Sequence, residues 1–174
     1  MMQLQPIAGI PAVSPGDDLA AVLHAALERA DLRLVNGDIV VVCQKIVSKA
    51  EGRIARFTDV TPSPFAETLA AATTGKDPRI IEIILRETTR IVRMDRGHLI
   101  VETGAGWVCA NAGVDESNST ATDSVILLPA DPDASAGRLR QRLRRTSSAD
   151  VAVQKSSTNP SSGAASGTTL SANA

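Results

Sequence analysis

A chain of 174 residues with 43% hydrophobic content is long enough for one globular domain with a real core and short for two. Its formal net charge of −1 gives no whole-molecule field toward nucleic acid or an anionic membrane, which argues against a general polyanion-binding role. Phe57, Phe65 and Trp107 are the only aromatic residues, so stacking platforms for bases are scarce and the core must be aliphatic.

In chain order, the N-terminus MMQLQPIAGIPAV carries neither a basic patch nor an apolar run of signal-peptide length. No later stretch approaches the roughly 20 apolar residues of a membrane span, so the expectation is a cytoplasmic protein without membrane contact. Gln3 to Ile7 reads as a short extended segment leading into GIPAVSPGDD, where Gly, Pro and Asp punctuate the backbone. Asp17 or Asp18 can cap a following helix, in which Leu19, Val22, Leu23, Ala26 and Leu27 share one face. His24 lies off that stripe and reads as a solvated helix residue.

Asn36-Gly37-Asp38 is a turn signal, and Ile39 to Val42 is a β-branched run expected to be a strand buried on both faces. The strand is expected to run out through Cys43-Gln44-Lys45 and Ile46-Val47 into Ser48-Lys49-Ala50-Glu51-Gly52-Arg53. Polar groups thus cluster where a buried strand ends, a common ligand position. Cys43 and Cys109 each sit in an apolar run far from any zinc-like spacing, and are expected to be buried free thiols rather than a disulfide.

Pro62-Ser63-Pro64 introduces a short helix through about Ala72, and Asp77-Pro78 opens a second with Asp as cap and Pro at the first helical position. The second carries Ile80, Ile81, Ile83, Ile84 and Leu85 on a wide apolar face, with Glu82 and Arg86 as an i, i+4 pair. Arg90 to Met94 and Leu99 to Glu102 flank Asp95-Arg96-Gly97-His98 as a hairpin, which makes His98 a turn residue. Trp107 to Ala110 is a further apolar strand, followed by the small and acidic loop Asn111 to Asn118. Val125 to Leu128 is another strand, and Asp131-Pro132-Asp133 caps a helix from about Ala134 to Arg145, with Leu139 and Leu143 inward and five Arg outward.

Strands and helices mix without regular alternation, so the expected fold class is α+β, a mixed sheet with short helices. Residues 1–153 form the expected domain. From Gln154 the composition turns to Ser, Gly, Ala and Asn, with Leu170 the only large apolar residue, so 154–174 is expected to be a disordered tail. Val151-Ala152-Val153 reads as the first half of a core strand.

Four short blocks hold residues unusual for a purely structural domain: GIPAVSPGDDL, GDIVVVCQKIVSKAEGR, WVCANAGVDESN and LLPADPDASA. Singly, each has a structural explanation: Asp17 and Asp18 as caps, Lys45 and Lys49 as solvated lysines, Asp115 as a turn former. Together, two lysines near a strand end and an Asp/Asn pair in a small-residue loop suit phosphate and metal. Ammonium groups neutralise phosphate oxygens, and hard carboxylate oxygens hold Mg2+ or Mn2+ against them. There is no Walker loop and no GxGxxG fingerprint.

In their order and wording these blocks resemble the coenzyme F-420:L-glutamate ligase family, also called F-420-0:γ-glutamyl ligase, including the N-terminal domain of its two-domain bacterial form. GDIVVVCQKIVSKAEGR and CANAGVDESN are the specific ones, and the resemblance spans Met2 to Val153. It implies the N-terminal part of the ligase domain and a GTP-dependent addition of L-glutamate to coenzyme F-420-0 through a γ-linked amide. It also implies Mg2+ or Mn2+, in some members K+, and a homodimer. Position by position, Ile10, Pro11, Ala12 and Val13 match the first nucleotide-contacting stretch, and Gln44, Lys45 and Lys49 match the second. Asp115 matches a metal ligand and Asn118 a nucleotide contact. At Gln44 the family often has Ser or another small polar residue, and no residue is matched to a catalytic role.

After a strand like Val151 to Val153 the family continues to an Asp-Thr pair that completes the metal site, where this sequence becomes Ser/Gly/Ala-rich. The expectation is a chain with ligase identity and little or no activity by itself, as a truncated or frame-shifted reading frame would give. Two alternatives stand beside it: an inactive GTP- and metal-binding fragment or interaction module, and nucleic-acid binding through Arg138, Arg140, Arg142, Arg144 and Arg145. Against the latter, Leu139 and Leu143 make the arginines the solvated face of an amphipathic helix.

Overall fold

The computed structural model describes residues 3–72, 76–95, 98–116, 123–156 and 168–172. These form two compact units rather than the single domain expected from length: Met1–Gly52 with Asp131–Ala174, and Arg53–Ala130. Helices, one mixed sheet and two antiparallel sheets give the expected α+β class.

The first unit is built on a sheet of order β1-β9-β2-β8, with β1 Gln3–Ile7, β2 Asp38–Cys43, β8 Ala152–Ser156 and β9 Thr168–Ala172. β2 runs parallel to β8 and antiparallel to β9, which is also antiparallel to β1. α1 (Leu19–Arg29) starts where the Asp18 carboxylate accepts the Ala21 N–H, so Asp18 is the cap, while Asp17 accepts the N–H of Ser14 at 2.7 Å. Leu19, Leu23, Ala26 and Leu27 bury the predicted stripe against Val40, Val42, Leu139 and Leu143. The last two come from α5 (Pro132–Ser147), capped by Asp131 with Pro at its first turn as read.

Three expectations for this unit are corrected. β2 is fully buried only on the face of Asp38, Val40 and Val42, with Ile39, Val41 and Cys43 half-buried. The strand does not run out past Cys43 but turns at once into α2 (Gln44–Ala50), which buries Ile46, Val47 and Ser48. Thirdly, Gln154–Ser156 and Thr168–Ala172 of the expected tail are strands: main-chain groups along both edges of β2 provide partners that side-chain composition does not reveal. The rest of that tail, 157–167 and 173–174, lies outside the described residues.

In the second unit, β3 (Ile54–Arg56) pairs antiparallel with β7 (Ser124–Ile126), and β4 (Thr88–Asp95), β5 (His98–Thr103) and β6 (Val108–Ala110) form a three-stranded sheet. α3 (Pro64–Ala72) and α4 (Pro78–Arg86) supply Ala66, Leu69, Ile80, Ile81 and Ile84 to a core with Leu99 and Val101 of β5. The Asp77 carboxylate accepts the Arg79 N–H at 2.8 Å as the predicted cap, and Arg86 meets Glu82 at 3.1 Å. His98 pairs with Asp95 as the first residue of β5; Arg96 and Gly97 of the predicted turn lie outside the described residues. β6, the expected apolar strand, lies at the edge of this sheet, with Val108 57% exposed. Cys43 and Cys109 are free thiols as expected, half-buried rather than buried. No helix among the described residues is long and apolar enough to cross a membrane.

Candidate functional site

The residues matched to nucleotide contacts in the first unit fall on two segments held side by side. Ile10 to Val13 form the loop after β1, with Val13 buried in the same apolar cluster as Ile46 and Val47 of α2, and Ile10 and Ala50 packed on its margin. The loop closes in the turn Ser14–Asp17, and the Gly16 N–H donates 2.8 Å to the Ala50 carbonyl at the end of α2. Pro11 and Ala12 remain exposed.

Lys45 and Lys49, read as lysines of a strand end, stand four residues apart on α2 and therefore on one side of it. Both are half-buried, as is Gln44 at the first helical position. An ammonium pair on one side of a helix, beside an exposed loop backbone, can neutralise and orient phosphate oxygens. Between them in sequence, Ser48 is 0% exposed and its Oγ has no hydrogen-bond partner among the described residues.

Two charged residues near this region, Glu51 and Lys155, had no site role assigned from the sequence. Glu51, one residue past α2, accepts hydrogen bonds from Ser135 Oγ at 2.6 Å and Arg138 Nη2 at 2.7 Å on the first turns of α5. Lys155 on β8 is the third carrier of charge here: burial lowers its pKa, opposed by the carboxylates of Glu51, Asp133 and Asp131. Glu51 follows Lys49 by two positions and could have been suspected on that ground. Its partners lie over 80 residues away, where spacing carries no signal.

In the second unit, Asp115 follows a backbone of unusual shape. Asn111, Ala112 and Gly113 have φ of 51°, 54° and 67°, three successive left-handed residues. Asn tolerates that region and Gly has no Cβ to strain, but Ala112 is held there at a cost of about 1–2 kcal/mol. Burial of Ala112 and the bond from the Leu99 N–H to Asn111 Oδ1 at 3.1 Å keep it in place. Such strain is frequent where a loop must present a group in a fixed position. Asp115 is then pinned by two main-chain bonds to Ile126, at 2.9 and 3.0 Å, with its residue half-buried. Asn118 lies outside the described residues.

No group of three His, Cys, Asp or Glu that could hold a metal occurs among the described residues, so there is no all-protein cage among them. The donor chemistry of Asp115, one hard carboxylate on a rigid bridge, still fits Mg2+, which keeps water and is usually bound through one or two carboxylates plus substrate phosphates. The arginines of α5 are largely committed to acids of their own unit: Arg138 to Glu51, Arg140 and Arg144 to Asp150, and Arg142 to Asp18. That pairing disfavours the nucleic-acid alternative, whose basic face is largely neutralised.

The family model described as F420-0:Gamma-glutamyl ligase matches residues 8–167. A coenzyme F420:L-glutamate ligase of Methanopyrus kandleri is 47% identical over 152 residues, covering 87% of this chain and 58% of the relative. Its counterpart in Methanothermobacter thermautotrophicus is 42% identical over 84% of this chain and 58% of its own length, and that of Archaeoglobus fulgidus 37% over 91% and 60%. The chain thus spans somewhat under two thirds of the length of these relatives. With residues 8–167 matched by the family model, the chain belongs to the F420-0:gamma-glutamyl ligase family.

Proposed function

We propose that the protein joins L-glutamate to coenzyme F-420-0 through a γ-glutamyl amide at the expense of GTP. The observation that carries this reading is the packing of the Ile10–Val13 loop on α2, the helix that bears Lys45 and Lys49, in one unit of a chain of this family. A carboxylate is a poor acyl donor. Transfer of the GTP γ-phosphoryl group to it gives GDP and an acyl phosphate; the glutamate amine then attacks the acyl carbon, phosphate leaves, and the amine loses a proton.

In this reading Lys45 and Lys49 neutralise phosphate oxygens, Gln44 and the loop from Ile10 through Val13 position the nucleotide, and Asn118 adds a contact to it. Asp115 holds Mg2+ or Mn2+, and K+ is a further cation of the family reading. A cytoplasmic homodimer acting on small-molecule substrates, without nucleic acid or membrane, completes the proposal. A second reading, GTP and metal binding without turnover, uses the same residues.

The test is isothermal titration of the purified chain with GTP and Mn2+, with and without F-420-0, followed by assay for the glutamylated product. Saturable metal-dependent binding with product supports the ligase reading; binding without product supports the second. Asp115→Asn is expected to remove the metal dependence of GTP binding at unchanged thermal stability, and an unaltered Mn2+ dependence in that variant would withdraw Asp115 from the site.

A further inference from the structure

Glu51 belongs to neither stretch assigned to the nucleotide, yet it stands where both are tied down. Its side chain is 27% exposed and takes two short hydrogen bonds from α5: Ser135 Oγ at 2.6 Å and Arg138 Nη2 at 2.7 Å. Ser135 is itself buried at 5% exposure; its single hydroxyl proton is shared between Glu51 and the Asp131 carbonyl at 2.8 Å, while its oxygen accepts from Arg138 at 3.0 Å. The grip is therefore a small closed network on the start of a 16-residue helix, not a lone surface ion pair.

On the other side of Glu51, main-chain bonds lead directly into the candidate site. The Glu51 N–H donates 3.0 Å to the Val47 carbonyl and so ends α2; Gly52, at φ +68°, turns the chain away. The preceding Ala50 carbonyl receives the Gly16 N–H, which fixes the Ser14–Asp17 turn and the loop from Ile10 to Val13 before it. A seven-residue helix has little stability of its own, so its orientation must come from such ties and from Ile46 and Val47 in the core.

We propose that Glu51 is a positioning residue: clamped by Ser135 and Arg138, it holds the end of α2, and through Ala50 and Gly16 it sets the spacing between the Lys45/Lys49 side and the Ile10–Val13 loop. This rests on the reading of those stretches as the nucleotide site. Replacing the carboxylate by a carboxamide removes the charge from the bond to Arg138, and a charge-assisted bond of this type is worth enough to change an affinity about tenfold when it holds a binding segment.

The experiment compares wild type, Glu51→Gln, Arg138→Met and, as a control on the same helix, Arg142→Met, which removes the contact to Asp18. Thermal midpoint, amide hydrogen exchange and GTP affinity in the presence of Mn2+ are measured on the full chain. Expected are about tenfold weaker GTP binding and about tenfold faster exchange at the Gly16 amide in Glu51→Gln and Arg138→Met. Arg142→Met is expected to retain GTP affinity whatever its midpoint.

Unchanged exchange at Gly16 in both clamp variants overturns the proposal, as does faster exchange with GTP affinity intact. Equal loss of affinity in Arg142→Met also overturns it, by reducing Glu51 to a general stabiliser. Should Glu51→Gln fail to fold, Arg138→Met, which leaves Ser135 on Glu51, carries the test. A wild type that binds no GTP removes the functional reading, while Gly16 exchange still decides whether Glu51 ties the two segments together.

Discussion

Gly113 combines two constraints that a side chain would violate at once. Its φ is +67°, and a Cβ placed there would come 2.7 Å from Leu128 Cδ2. The Leu128 side chain could swing aside, but its main chain is held by Arg53, whose Nε donates to the Leu128 carbonyl at 2.8 Å while Nη2 meets Glu87 at 2.6 Å. Gly113→Ala is therefore expected to cost on the order of 2 kcal/mol, the left-handed penalty plus displacement of Leu128, read as a shift in the denaturant midpoint. A loss below about 0.5 kcal/mol, the level of an ordinary surface change, would mean that the loop relaxes and that Asp115 is not rigidly presented. The glycine was visible in CANAGVDESN as part of a small-residue loop. That it stands third in a left-handed run was not, because Ala at the preceding position does not advertise positive φ.

At the scale of elements, α4 is capped by one carboxylate and tied to the start of α3 by another, and the fold favours the ionisation of both. The Glu82 carboxylate accepts from Ser63, which caps α3, and this bond holds its pKa below the ordinary value, with Arg86 assisting. Asp77, capping α4, is lowered chiefly by its bond from the Arg79 side chain. A carboxylate with a folded pKa below its unfolded value stabilises the fold above the unfolded value, and that stability is lost as pH falls through the folded pKa. Unfolded Asp and Glu titrate near about 4, so the thermal midpoint should hold between neutrality and about pH 5 and drop below about pH 4. Glu82→Gln should flatten the drop; an equally steep acid limb in the variant would show that Glu82 is not linked. These helices and their caps were legible because Asp77-Pro78 and the apolar spacing are local signals. α2 was not: after the β-branched run from Ile39 to Val42, the segment QKIVSKA continues with Ile and Val and has no capping residue before it, and only the packing of Ile46 and Val47 on the core decides for a helix. Lys45 and Lys49 were thus proposed from type and order, while their common side of a helix came from the fold.

For the whole molecule, the division into two units is the feature that length and composition concealed, since the second unit interrupts the first in sequence. Its independence can be argued from how it begins and ends. β3 at its start and β7 near its end are antiparallel partners, with Ile54 opposite Ile126 and Arg56 opposite Ser124, and the Leu127 N–H donates 2.9 Å to the Arg53 carbonyl. Entry and exit are therefore clasped within the unit, and Arg53 reinforces the clasp from its side chain. Behind it lie two apolar clusters, Ile80, Ile81, Ile84, Leu99 and Val101 in one, Val60, Ile83, Val125 and Leu127 in the other, with Phe57 and Val114 packed against both. A segment with its own core and paired ends meets the requirements of a small autonomous fold. Residues 53–130 expressed alone should then unfold cooperatively with heat and show amide protection in β4, β5 and α4. Arg53→Met in that segment should weaken it by about 1.5–3 kcal/mol, as expected for loss of a hydrogen-bonded charge. Absence of a cooperative transition would mean that the two clusters need residues outside 53–130, and that the Asp115 loop owes its shape to the rest of the protein.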